Sequence, residues 1–362
     1  LRLGHHDIAK AWVEFYASRL EMTLANTKRL YGLDGAMWAW EHPIGQNTAM
    51  LADGTPNWYQ FEIHNAAYPA RMAAEAARHL GDAGWARDVA WPVVRESARF
   101  FASALTAEDD GKLGQAHLGL HITPSMGQDE MGGQDARNYL CALFSAQYAL
   151  QAAVRTAETW QLADADVDRW RAMLKTGLAF DRLLDPATGL RVTCEGVDGA
   201  KQVGNEKHPV QLNPLTFLPL GEPDAAVLEA YRRRYELCAG VRGDFFHGWT
   251  LAAYWLAASH MGDGAGLRHD LGRALPGRYV DPDWLQIYET SGSWSMPYYV
   301  TSHGLYLQAI NDALVSDYFG DTRVGAACPE GWREVGFGGL RTGDGRGWSG
   351  ERGDGGEWRV EG

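Results

Sequence analysis

Apolar residues recur at helical spacing through most of this chain. In residues 7–31 the positions Ile8, Ala11, Trp12, Phe15, Leu20, Met22 and Leu24 fall mostly three and four apart, which predicts a helix. Residues 35–56 then interleave Gly, Pro and Asn with aromatics and read as a long ordered loop. Helical patterning resumes over 60–80, stops at Gly81-Asp82, and restarts over 83–105 with Pro92 in a first turn or at a kink. Residues 106–134, rich in Gly, Asp and Thr, form a second long loop, followed by helices over 137–158 and 162–180. After an irregular stretch over 181–211, helices are predicted near 224–237, 247–260, 264–275 and 302–317. Strand alternation is almost absent before residue 320, whereas Val335, Phe337 and Leu340 among glycines change to strand character. Paired helices joined by long polar loops predict a ring of helical hairpins whose loop-bearing end carries the site.

Composition narrows the partners. Hydrophobic residues make up 46% of the 362 positions and charged residues 22%, the balance of a chain that folds. A net charge of −13 and no basic stripe argue against nucleic acid. Fifteen Trp and fifteen Tyr supply flat faces with one polar handle each, suited to sugar rings and equally to a core. Cys141, Cys194, Cys238 and Cys328 are scattered without a CxxC pair, so neither a metal site nor a disulfide framework is indicated. No cofactor is implied. No run of 18 apolar residues exists to span a membrane, and the compartment, cytoplasmic or secreted, stays open.

Two acids stand out. In His121-Ile122-Thr123-Pro124-Ser125-Met126-Gly127-Gln128-Asp129-Glu130-Met131-Gly132-Gly133, two adjacent carboxylates sit among glycines just before a helix. Apolar neighbours such as Met126 and Met131 favour a protonated carboxyl, so Glu130 is a candidate general acid; the competing reading is a helix cap. In Tyr288-Glu289-Thr290-Ser291-Gly292-Ser293-Trp294 an acid lies among aromatics and hydroxyls. Glycosidic cleavage needs a second carboxylate across the scissile bond, and Glu289 is the candidate, against the reading of a plain surface-turn acid. Trp38, Trp40, Glu41 and His42 crowd one loop as a sugar platform or a packed loop core. Glu62 and Asn65 lie three apart beside His64, which is not a zinc spacing. Lys207-His208 and Asp244-Phe245-Phe246-His247 are further polar candidates, each with a structural reading beside it.

In order along the chain, these segments resemble glycoside hydrolase family 65, the six-hairpin group of α-glucoside hydrolases and phosphorylases. Gly35-Ala36-Met37-Trp38-Ala39-Trp40-Glu41 is similar to the family's G-A-x-x-P-W-E loop with Ala39 for Pro. Glu62-Ile63-His64 with Gly81-Asp82, then Glu96, Ala98, Arg99 and Phe100, resemble its next two segments. Gln128-Asp129-Glu130 resembles its P-D-E loop with Gln128 for Pro, and the Glu of that loop is the family's general acid. The helix from Ser302 to Ala309 and the run Cys328-Pro329-Glu330-Gly331-Trp332 are similar to its late helix and the entry to its C-terminal β domain. The resemblance implies a late Glu as general base, where Glu289 stands. Phosphorylases of the family bind phosphate there with hydroxyls and a Lys-Gln pair, near which this chain has Lys207-His208. The family also carries an earlier β-sandwich and an early helix that this sequence does not include.

The reading is an all-α protein, an (α/α)6 toroid of the six-hairpin glycosidase type over residues 1–320 lacking its first helix, with the start of a small C-terminal β domain over 321–362. Its expected activity is inverting hydrolysis of an α-linked glucoside or oligosaccharide. Glu130 is the acid, Glu289 the base, and Trp40, Glu41, Lys207 and His208 the sugar-binding residues. The rivals are an inverting disaccharide phosphorylase on the same scaffold, a six-hairpin glycosidase for another sugar such as an α-L-fucoside, and a non-catalytic carbohydrate-binding protein.

Overall fold

The computed structural model describes residues 1–40, 61–108, 117–128, 133–196, 208–237, 248–289, 298–329, 331–354 and 356–362. The chain divides into two compact units, His6–Gly199 on one side and Leu1–His5 with Ala200–Gly362 on the other.

The first unit opens with two helices where periodicity predicts one. Helix α1 (His6–Ser18) and α2 (Leu20–Tyr31) are separated by Arg19 at φ −97° and ψ 0°. The Ser18 hydroxyl donates to the Phe15 carbonyl at 2.6 Å, drawing that acceptor away from the ladder. Gly32, left-handed at φ 68°, closes α2 by donating to Lys28 O. The predicted helix over 60–80 is a 3-10 turn, Ile63–Ala67, leading into α3 (Tyr68–Leu80). Pro69 accounts for the boundary, because its missing N–H is tolerated only in a first turn. Gly81 at φ 65° ends α3 at the expected break. Asp82 caps the short turn Ala83–Trp85, a π-helical turn follows over Ala86–Ala90, and α4 runs Trp91–Ala104. Pro92 offers no N–H to the preceding turn, and the Trp91 N–H reaches back five residues to Ala86 O.

The stretch expected as loop after α4 contains an antiparallel pair, β1 (Leu105–Glu108) and β2 (His117–Leu120), in register from Leu105 opposite Leu120 to Glu108 opposite His117. Four-residue strands are too short for alternation to announce them. Helices α5 (Leu140–Trp160) and α6 (Val167–Thr176) complete the unit. Phe100 and Phe101 of α4, Tyr148 of α5 and Trp170 of α6 are fully buried, each large aromatic contributing roughly 1.5–3 kcal/mol by leaving water.

In the second unit, α7 (Ala225–Arg232), α8 (Gly248–Met261), α9 (Gly264–Ala274) and α10 (Val300–Leu314) follow a short helix, Asn213–Thr216. Nearly every residue of α8 is buried, as a helix apolar on all sides requires, and it packs on α9, α10 and Asn213–Thr216. After α10 come the pair β3 (Val315–Ser316) and β4 (Arg323–Val324), then the antiparallel sheet β5 (Val335–Arg341), β6 (Gly347–Arg352) and β7 (Arg359–Glu361). The strands expected in the tail are thus present. A bulge between Phe337 and Leu340 breaks their simple alternation and turns Leu340 into a small core with Leu314, Val315 and Cys328. The architecture among the described residues is predominantly helical with small sheets.

Candidate active-site segments

In the first unit, the loop after α2 is laid directly on α4. Gly35 has φ 88°, and a Cβ there would lie 2.5 Å from Glu96 O, so only glycine permits the approach. The Ala36 N–H donates to Glu96 O at 2.8 Å, and the buried Trp38 indole donates to the Ser97 hydroxyl at 2.9 Å. Trp38 is therefore core. Trp40, two residues on, is 54% exposed. Glu41 and His42 lie outside the described residues.

Glu130 and Asp129 also lie outside them, but both flanks of that segment are described. Met126 N donates to Phe61 O at 3.1 Å and bridges Glu62 on one side and Gln134 on the other. Ser125 N donates to the Asp135 carboxylate at 2.7 Å, and Asp135 N returns to Ser125 O at 2.8 Å. Tyr139 OH donates to Gly133 O at 2.8 Å and accepts from Ala136 N at 2.9 Å. The flanks are thus cross-linked to each other and to Phe61. Beside them Glu62, only 3% exposed, accepts from Asn65 Nδ2 at 3.1 Å, with His64 Nε2 at 3.8 Å. Burial pushes the Cys141 thiol up to about 12, the Gln128 backbone opposing and the Glu62 charge adding. Cys141 is accordingly an inert core thiol. The motif at Glu96 is likewise structural: Arg95 and Arg99 reach its carboxylate at 2.8 and 2.7 Å, and Arg99 continues to Asp166 at 2.7 Å.

One polar constellation escaped sequence reading. Glu108, buried at the end of β1, is paired with Arg137 and with Arg182 at 3.3 Å, and both arginines also reach Glu195, at 3.5 and 3.3 Å. Asn138 Nδ2 donates to Glu108 at 3.2 Å and to Glu195 at 2.9 Å, while its Oδ1 accepts from Leu120 N at 2.6 Å. A Cβ on Gly119 would overlap the Glu108 carboxylate. No local signal links these residues, since the partners lie far apart in sequence.

The second unit places Glu289 and His208 around the start of α8. Gly248 N donates to Glu289 O at 2.7 Å. A Cβ on Gly248 would overlap Tyr288 O and lie 3.1 Å from its carbonyl carbon, so the close seat depends on glycine. Tyr288 N donates to Tyr279 O at 2.8 Å, and Tyr299 N to Ile287 O at 3.2 Å. His303 Nε2 accepts from Ile287 N at 3.2 Å, which leaves Nδ1 as the donor to Tyr299 O at 2.9 Å. The half-buried Glu289 is held by its own carbonyl at Gly248, and the two residues before it are bonded to Tyr279, Tyr299 and His303. Adjacent to Gly248, the Trp249 ring stacks on Phe217 at 5.4 Å and 16°, and the His208 ring, 8% exposed, meets its edge at 5.4 Å and 73°. Lys207 and residues 244–247 lie outside the described residues. Among the described residues no cluster of three or more His, Cys, Asp or Glu is arranged to hold a metal, and no helix is long and apolar enough to cross a membrane.

No family model matches the chain. The kojibiose hydrolase of Flavobacterium johnsoniae is 31% identical over 110 residues, which are 30% of this chain and 16% of that protein. Among solved structures, a putative kojibiose phosphorylase from the human microbiome is similar with a TM-score of 0.59 at 13% identity, over 96% of this chain and 52% of that one. The chain thus spans about half the length of the structure it matches. At that identity the structural likeness shows a shared fold.

Proposed function

We propose that this chain is the catalytic part of an inverting glycoside hydrolase that cleaves an α-linked glucoside, with kojibiose the first substrate to test. In this reading residues 1–320 form an (α/α)6 toroid and residues 321–362 begin a C-terminal β domain. Glu130 protonates the leaving oxygen, Glu289 activates water, and Trp40, Glu41, Lys207 and His208 hold the sugar. Inversion needs the two carboxyls about 6.5–9.5 Å apart, leaving room for that water. Both relatives are named for kojibiose, and the sequence likeness is to the one that hydrolyses it.

The observation that carries hydrolysis over phosphorolysis is the seat of Glu289 at Gly248. A phosphorolytic site needs anion-binding donors, and a helix N-terminus is a ready source of them. At α8 the Gly248 N–H already donates to Glu289 O, and the residue beside it is an acid. Two negative charges about 4 Å apart cost on the order of 4 kcal/mol at an effective dielectric near 20, a penalty that water does not meet. The structural likeness to a phosphorylase favours the second reading, phosphorolysis on the same scaffold.

Incubation with kojibiose and other α-glucosyl disaccharides, with and without inorganic phosphate, separates the two. Release of free β-glucose independent of phosphate is expected. A glucose 1-phosphate product formed only when phosphate is present would overturn the assignment, and no turnover of any α-glucoside would favour a binding protein.

A further inference from the structure

Buried inside the second unit is a charged cluster that the proposed chemistry does not use. His260, in the last turn of α8, is fully buried, and both ring nitrogens face acceptors. Nδ1 lies 2.7 Å from the Leu215 carbonyl and Nε2 lies 2.9 Å from Asp312 Oδ2 on α10. A carbonyl oxygen has no proton to give, so Nδ1 must carry one. Asp312 receives Arg2 Nε at 2.9 Å and Gln308 Nε2 at 3.2 Å. Burial alone would push Asp312 up, but the Arg2 charge and the hydrogen bonds from His260 and Gln308 outweigh it, and the carboxyl stays below its ordinary range. With the carboxylate ionised, Nε2 must donate as well.

We infer that His260 is held as an imidazolium and acts as an alkali-sensitive clamp between α8 and α10, the helices that flank the seat of Glu289. The surroundings suit a cation. The ring stacks on Tyr318 at 3.6 Å and 12°, and it occupies the negative end of α8. Ser259 adds a hydroxyl bond to Ala309 O at 2.8 Å across the same pair of helices. Around the ring, Arg2 also pairs with Asp317 at 2.5 Å, and Asp317 accepts from Gly343 N at 2.8 Å, which ties the turn between β5 and β6 to the cluster. Arg323 from β4 donates to His260 O at 2.6 Å, and the Tyr318 hydroxyl donates to Pro214 O at 3.1 Å. On α9, Asp270 is engaged by Arg234, Tyr235 and His269, Arg273 lies over Tyr235, and Arg268 lies against Gly331.

Loss of the second proton turns the Nε2 lone pair toward a carboxylate and removes the charge that opposes it. A group whose affinity for a proton is higher folded than unfolded stabilises fully below about pH 6.5, and that stability is lost as pH rises through the folded-state value.

The decisive measurement is a 15N-histidine NMR titration of the whole chain, together with thermal midpoints from pH 8 to 10 for wild type and His260→Gln. Both ring nitrogens of His260 should remain protonated at pH 8, and the wild-type midpoint should fall by several degrees in alkali while the variant's midpoint changes little. A ring already neutral at pH 8 overturns the clamp, and this readout stands even if the variant does not fold. The effect on activity rests on the proposed function: the alkaline limb of kcat should move in His260→Gln. A chain without glucosidase activity would sink that function while the titration still judges the clamp.

Discussion

Replacing Gly248 with Ala tests the seat of Glu289 without touching any carboxylate. Alanine normally stabilises a helix interior by about 1 kcal/mol relative to glycine, and nothing in the backbone at 248 calls for a left-handed residue. Absent a steric conflict, the substitution would be neutral or mildly stabilising. Here the added methyl would overlap Tyr288 O and approach its carbonyl carbon to 3.1 Å. The Tyr288 carbonyl must withdraw by about 1 Å or more, and overpacking of that size costs about 1–3 kcal/mol. The segment cannot withdraw freely, because Tyr288 N is bonded to Tyr279 O and Ile287 is bonded to Tyr299 and His303. Glu289 moves with it, and a misplacement of about 1 Å in a reacting group costs on the order of 10²-fold in rate. Gly248→Ala should therefore lower both the thermal midpoint and kcat, with KM changing less than kcat, in a disaccharide hydrolysis assay. A variant as stable as wild type with unchanged kcat would refute the reasoning.

Glu130→Gln should abolish turnover of a natural disaccharide by about 10²–10⁴-fold while an activated aryl glucoside is largely spared, because only the poor leaving group needs the proton. Glu289→Gln should slow both substrates alike, and equal disaccharide activity of wild type and Glu130→Gln would end the assignment of the acid. A separate expectation concerns acid-range stability. Burial pushes Asp270 up to about 7 against the opposing charges of Arg234 and Arg273, so the folded chain binds its proton more tightly than the unfolded chain. Stability should then fall as pH rises from about 4 to 7, with the loss complete above that window. Asp270→Asn should flatten this slope in thermal melts, and parallel slopes would count against it.

What the sequence made legible was the helical content and the order of segments; what it hid were departures that depend on distant partners. Periodicity located α5 and α8 to within a few residues, and the C-terminal ends of α3 and α4, because their buried faces repeat at helical spacing; the starts of α3 and α4 fall eight residues later than expected, behind the 3-10 and π turns. It missed the break at Arg19, where the hydrogen-bond ladder is interrupted for one residue and the apolar pattern is left intact. It missed β1 and β2, whose pairing is supported by Glu108, Gly119, Arg137 and Arg182 acting from separate parts of the chain. Glu289 was legible as an acid among aromatics, but its attachment to Gly248 was not, since the two are joined by a backbone hydrogen bond. The trio Glu62, His64 and Asn65 was legible as one polar group. Its burial beside Met126 required the fold.

Several positions where local preference is overridden flank the segments of the proposed chemistry. Beyond Glu130 the chain takes left-handed conformations at Gly133, Asp135 and Asn138, with φ 83°, 53° and 53°. Asp135 and Asn138 are among the residue types that tolerate such a backbone, and here their side chains accept hydrogen bonds from Ser125 N and Leu120 N on the preceding segment. Gly35 holds the Trp40 loop to α4 in the same manner, and Gly248 admits the Glu289 carbonyl to the start of α8. Sites of this kind persist only where surrounding contacts over-determine them. The hydrogen bonds that cross-link 125–128 with 133–139, and those that pin 287–289, supply that constraint. In the proposed reading, that constraint is what holds the described flanks of both acidic segments in place.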